Sequence, residues 1–245
     1  MTEGRATPRQ RAPQRRKPGR PKGPSSDPAQ RLDSLLDGAE DAIRTHGPSV
    51  SMEQLAAAAG VSKATLYDNF AGKAGLSEAL MDRKGAALLE TFSATLADGF
   101  TPEQFVRRGI TIFVEHVATD PEIYRFIVNS TEIGEAVVDD IAAPITAILN
   151  ALLDPGDAHD ADAHNADAHD SDASLAAFLA NTALGAILGS TDWWSRSKSP
   201  SVERFSSALA DFVWAGLIGA GLPPSDEQLD VAAVAAAIAA AEPRR

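Results

Sequence analysis

A chain of 245 residues with 44% apolar content and 6% aromatic residues has the material for a substantial helical core. It holds no cysteine, which excludes disulfides, thiolate zinc sites and a cysteine nucleophile. The net charge of −12 conceals a split: residues 1–31 hold Arg5, Arg9, Arg11, Arg15, Arg16, Lys17, Arg20, Lys22 and Arg31 against Glu3 and Asp27, a net of +7, which leaves −19 for the rest.

Residues 1–26 are rich in Pro, Gly, Arg and Ser and too polar to bury, so they are expected to be disordered when free. Arg15, Arg16, Lys17, Arg20 and Lys22 surround a Gly-Arg-Pro core that resembles an AT-hook. Such a segment lies extended in a narrow A·T-rich minor groove, where Arg20 would be inserted. The alternative is a flexible polybasic tail that touches phosphate without preference.

Asp27-Pro28-Ala29-Gln30 is a helix start, with a cap, proline at the first position and glutamine at the third. Leu32, Leu35, Leu36, Ala39 and Ile43 then follow at helical spacing until Gly47-Pro48. Ser51 and Gln54 form a capping-box pair, and Met52, Leu55, Ala56 and Ala59 give a short apolar face that stops at Gly60. A second short helix is expected over Ser62 to Asp68, with Leu66 turned inward and Lys63, Thr65, Tyr67 and Asn69 offered outward. Two short helices around a tight turn form the helix-turn-helix pattern, whose second helix enters the major groove of DNA.

Leu66-Tyr67, then Phe70, then Lys73 and Leu76 resemble the signature of the tetracycline-repressor-like (TetR) regulators, over roughly Gln30 to Arg83. Asp68 and Asn69 depart from the basic or histidine residues more usual before the phenylalanine. The resemblance implies an all-α fold with an N-terminal three-helix DNA-binding domain and a larger C-terminal domain for ligand binding and dimerisation. The expected division is a basic arm over 1–26, the helix-turn-helix domain over 27–72, and the effector and dimerisation domain over 73–245. By motif position it assigns Lys63, Ala64 and Tyr67 to base reading, and Ser51, Thr65, Asn69 and Lys73 to phosphate. Lysine donates to guanine O6 and N7, and an alanine methyl touches that of thymine. Between Leu32 and Gly85 there are five basic and eight acidic residues, so the basic arm is expected to supply grip that the head lacks.

Further along, a long helix is expected from Lys73, another from Thr101-Pro102, a shorter one from Asp120-Pro121, and one from Thr131 to about Leu153 with a kink near Pro144. Residues 154–173 repeat Asp-Ala-His every five residues. A helix would turn such ligands about 140° apart at each step, so an acidic surface loop is expected and no metal site. Two broadly apolar helices follow near 174–194 and 200–221, wider in apolar surface than one buried face needs. The resemblance implies that they pair with their mates in a homodimer. Ser225 and Gln228 are expected to start a last alanine-rich helix.

The resemblance also implies a small-molecule cavity in the C-terminal domain. Phe105, Phe113, His116, Phe126, Trp193 and Trp194 are candidate lining residues, and an apolar lining would suit a lipophilic effector. Arg125 and His116 are polar on otherwise apolar helices, which fits either ligand orientation or structural hydrogen bonding. No nucleophile elbow, phosphate-binding glycine loop or zinc helix motif is present, so neither enzyme activity nor a cofactor is expected. No apolar signal core opens the chain, and residues 175–191 fall short of the roughly 20 residues a span needs. A cytoplasmic, ligand-responsive regulator, a repressor by resemblance, is the expectation. The alternative is an architectural, A·T-preferring DNA-binding protein without effector response.

Overall fold

The computed structural model describes residues 27–95, 99–130, 135–153, 166–230 and 232. Among them are nine helices and no strand: α1 (Pro28–His46), α2 (Met52–Ala58), α3 (Lys63–Phe70), α4 (Lys73–Thr95), α5 (Pro102–Thr119), α6 (Pro121–Ser130), α7 (Glu135–Leu153), α8 (Ala166–Ser197) and α9 (Val202–Gly219). The all-α expectation holds. No helix among the described residues is long and apolar enough to cross a membrane. The arm over 1–26 and Thr131 lie outside the described residues.

The helix starts follow from local chemistry. Asp27 accepts the Ala29 N–H at 3.1 Å ahead of Pro28. Ser51 and Gln54 complete both bonds of a capping box, at 3.2 and 2.9 Å, and Thr101 and Gln104 complete another at 3.3 and 3.1 Å. Each bond gives a partner to an N–H that the first helical turn would leave unpaired.

Three boundaries differ from the sequence expectation. α3 uses Ser62 as its cap and continues two residues past Asp68, because Phe70 is drawn into the core and the left-handed turn comes only at Ala71, φ 53°. α8 starts at Ala166, inside the segment expected to be a loop. Alanine, the best helix former, recurs through residues 166–173. Residues 222–230 are not helical, so no helix starts at Ser225. Pro223 and Pro224 supply no N–H, Ser225 Oγ accepts the Glu227 N–H at 3.2 Å, and Leu229 donates its N–H to the Phe100 carbonyl at 2.7 Å. That segment straps the junction of α4 and α5.

Two apolar cores organise the molecule. The first joins Leu35, Leu36 and Ile43 of α1, Leu55 of α2, Leu66 and Phe70 of α3, Leu76 and Leu80 of α4, and Ile123, Phe126 and Ile127 of α6. The head is therefore closed from behind by the first turns of α4 and by α6. Phe126, expected at a ligand cavity, is fully buried in this core instead. Ile123, three residues earlier on α6, shares its face, and Ile127 is buried in the same core. The second core gathers α5, α7, α8 and α9 around Ile110, Val114, Leu149, Leu179, Leu184, Trp194, Phe205, Leu209, Val213 and Leu217.

Close approach of backbones in the head depends on two glycines. A Cβ at Gly38 of α1 would fall 2.5 Å from Ala59 Cα, and one at Gly75 would fall 1.9 Å from the Phe70 carbonyl oxygen. Gly75→Ala must therefore push α4 away from the end of α3. We expect a loss of about 2–3 kcal/mol in urea unfolding, at the upper end for overpacked sites. Gly85→Ala on the open side of α4, with nothing within 4 Å, is expected to be neutral or to gain up to about 1 kcal/mol.

Candidate nucleic-acid interface

α3 divides its residues by face. Leu66 and Phe70, four apart, are buried and fix the helix to the head core, whereas Lys63, Ala64, Tyr67, Asp68 and Asn69 are exposed. Ser62 Oγ accepts the Thr65 N–H at 3.0 Å and lies 2.8 Å from Thr65 Oγ1, which fixes the start of the helix. Asn69 Nδ2 donates to the Thr65 carbonyl at 2.7 Å. Tyr67 remains 44% exposed although it is aromatic, and its ring packs beside Gly72 at the turn into α4.

The structure brings Lys63, Ala64, Thr65, Tyr67 and Asn69 together on this short helix. Ser51 stands at the start of α2 and the half-buried Lys73 at the start of α4. Both stand at the positive end of a helix dipole, which favours a negative group. The arm residues Arg15, Arg16, Lys17, Arg20 and Lys22 lie outside the described residues.

One partner was not foreseen in the sequence. Lys63 Nζ donates to the Glu53 carboxylate across the turn and sits 5.8 Å above the centroid of the Tyr67 ring. Hydrogen bonding by Glu53 raises the Lys63 pKa, and the same bond lowers that of Glu53 below the ordinary carboxylate range. Both groups are solvent-exposed, so the pair adds little stability and parts readily. No pattern within either helix marks it, because the partners are ten residues apart.

A second polar cluster ties the head to the rest. The buried Glu40 carboxylate of α1 accepts from Arg44 Nη2 at 2.6 Å and Lys84 Nζ at 2.9 Å. Asp120, between α5 and α6, accepts from Arg44 Nε and Nη2 at 2.7 and 2.9 Å, a two-pronged pair, with Lys84 at 3.4 Å. The Arg44 bond holds the Asp120 pKa below its usual value. α1, α4 and the α5–α6 corner thus share one set of charges.

The six residues expected at a cavity do not meet in one place. Phe126 is in the head core. Phe105 stands edge-on to Phe92 at 5.1 Å between centroids, and Phe113 edge-on to Tyr124 at 6.1 Å. His116 is partly buried near Lys84 and Asp120, and burial lowers its pKa. Trp194 stacks on Phe205 at 5.1 Å and donates Nε1–H to the Pro200 carbonyl at 2.8 Å. Trp193 points outward, 59% exposed. Trp194 also borders a cleft of about 330 Å³ with Ala118, Pro121 and Lys198, while a larger cleft of about 650 Å³ is lined by none of the six.

Comparison with known proteins agrees with this geometry. Residues 35–80 match the family model described as bacterial regulatory proteins, tetR family. An uncharacterized HTH-type transcriptional regulator of Mycobacterium tuberculosis strain H37Rv is 36% identical over 126 residues, 51% of this chain and 54% of that protein. A second from the same strain is 31% identical over 125 residues, 49% of this chain and 62% of that protein. The chain thus spans about half the length of the first of these relatives. A TetR-like transcriptional regulator from Rhodococcus sp. RHA1 superposes with a TM-score of 0.53 at 21% identity, over 80% of this chain and all of that one, a likeness of fold. Over its helix-turn-helix unit, residues 35–80, the chain is similar to the tetR family of bacterial regulatory proteins.

Proposed function

We propose that the protein is a transcriptional regulator that binds a near-palindromic operator as a homodimer and leaves it when a small effector is bound. The observation that carries this reading is the division of α3, anchored by Leu66 and Phe70 and offering Lys63, Ala64 and Tyr67 to a groove. Those three residues read base edges, and Ser51, Thr65, Asn69 and Lys73 hold phosphate. Selection of bound DNA from a random pool, followed by footprinting, tests it: one sharp protected site with two half-sites is expected. Diffuse protection of A·T-rich DNA would instead support an architectural role carried by the arm. Lys73→Ala is expected to weaken operator and non-operator DNA about equally and to reduce the salt slope by about 1 per site. A changed sequence preference at unchanged overall affinity would remove Lys73 from the phosphate set.

Dimerisation is supported by the outer surface of α8 and α9. Phe178 and Trp193 of α8 and Phe212 of α9 are 62%, 59% and 70% exposed, a large apolar surface for one subunit to leave in water. Gly185 and Gly189, and Gly216 and Gly219, leave open space beside these aromatics for close helix approach. A two-fold axis there buries the same stripe from both copies. Phe212→Glu is expected to yield monomers in sedimentation equilibrium while the far-ultraviolet spectrum is unchanged. A dimer that survives this substitution would move the interface elsewhere. Effector response is supported by the shared charges of Glu40, Arg44, Lys84 and Asp120, which give a displaced α4 or α6 a direct hold on α1.

A further inference from the structure

The larger cleft, of about 650 Å³, lies against α5 and the end of α4 and opens to solvent. Its walls are Ala94, Gly99, Phe100, Gln104, Arg107, Arg108 and Thr111. Gln104, Arg108 and Thr111 follow one another at helical spacing and form one polar edge of α5. Phe100 supplies an apolar wall, and behind it Phe92, Phe105, Ile148, Leu152 and Leu229 make a separate apolar cluster. One side of the cleft is thus polar and cationic, and the other apolar.

The two arginines differ in what they hold. Arg107 donates to Glu103 at 2.7 Å and to Asp211 at 2.5 Å, so its charge is already met. Arg44, Arg83, Arg125 and Arg196 likewise hold acidic side chains. Arg108 has no hydrogen bond or ion pair among the described residues, in a chain of net charge −12. The hydroxyls of Thr91 and Thr119 are spent on the carbonyls of Ala87 and Glu115, whereas that of Thr111 is not. Among the described residues Gln104 uses only its oxygen, on the Thr101 N–H, which leaves its amide N–H groups without a partner there. An uncommitted guanidinium, an amide donor and a hydroxyl therefore share one edge beside an apolar wall.

We propose that this cleft binds an amphipathic monocarboxylic acid, its carboxylate held by Arg108 with Thr111 and Gln104 and its apolar body laid against Ala94 and Phe100. A guanidinium meets a carboxylate with two parallel hydrogen bonds, which no uncharged headgroup reproduces. The volume is in the range of small-molecule sites and exceeds what a short acyl chain fills. The identity of the effector rests on the regulator reading above, but occupancy of the cleft does not.

The experiment titrates the full-length chain with octanoate and, separately, with 1-octanol by calorimetry, and then follows release of a labelled operator by anisotropy. Octanoate is expected to bind at least about tenfold more tightly than octanol. Arg108→Gln should remove that advantage, Arg108→Lys should keep part of it, and both should leave the melting temperature unchanged because Arg108 has no partner to lose among the described residues. Equal binding of octanoate and octanol, no octanoate binding, or octanoate binding that survives Arg108→Gln would each overturn the proposal. Arg108-dependent binding that releases no DNA would uphold the cleft and refute its effector role.

Discussion

A chain lacking residues 1–26 is expected to bind operator DNA about a hundredfold more weakly near physiological salt, with a much shallower dependence on salt concentration. The head between Leu32 and Gly85 carries more acidic than basic groups, and its exposed lysine, Lys63, is held by Glu53. Most of the charge available to phosphate is then in the arm. If Arg15, Arg16, Lys17, Arg20 and Lys22 each neutralise one phosphate, the slope of log K against log salt falls by about 4 to 5 per protomer when they are removed. Anisotropy titrations across a salt series measure it directly. An unchanged slope would show that the arm makes no phosphate contact. A loss of affinity confined to A·T-flanked sites would favour groove insertion of Arg20 over a loose tail.

Phe126→Ala is expected to have the largest effect on stability, about 3–5 kcal/mol in chemical denaturation. The ring is fully buried in the core that α1, α4 and α6 share, where close packing leaves little room for the neighbours to collapse into the space. DNA affinity should fall with stability, because α6 closes the back of the head. Phe126→Leu keeps most of the volume and is expected to cost far less, about 1–1.5 kcal/mol. A small loss for alanine, with DNA binding intact, would mean that the head is held together without α6.

The helix starts could be read from the sequence because their causes are local. Asp27 with Pro28, Ser51 with Gln54, and Thr101 with Gln104 act within four residues, so spacing alone carries the information. The same holds for Leu66 and Phe70, whose separation fixes which side of α3 faces inward. The choice of core for Phe126 is not local: the residue looks equally apolar whichever neighbour it meets, and only the path of α6 decides. Arg44 and Asp120 are 76 residues apart, and the glycines at 38 and 75 differ from that at 85 only in what the fold brings near them. The start of α8 is not legible in the sequence because Asp and His read as loop residues, while the alanines between them favour a helix.

On the reading proposed above, Lys63 arrives at DNA already holding a carboxylate. A base edge competes with Glu53 for Lys63, and a sequence that offers no better acceptor leaves that negative group facing the phosphates. Wrong sites are then disfavoured twice, by the missing hydrogen bond and by the returned repulsion. With Lys63 paired and Asp68 exposed, the free reading helix offers no net positive charge, so the electrostatic hold on random DNA falls mainly to the arm. A molecule of this kind searches mainly with one part and recognises with another, sliding on its arm while Lys63 stays with Glu53 until the sequence draws it away.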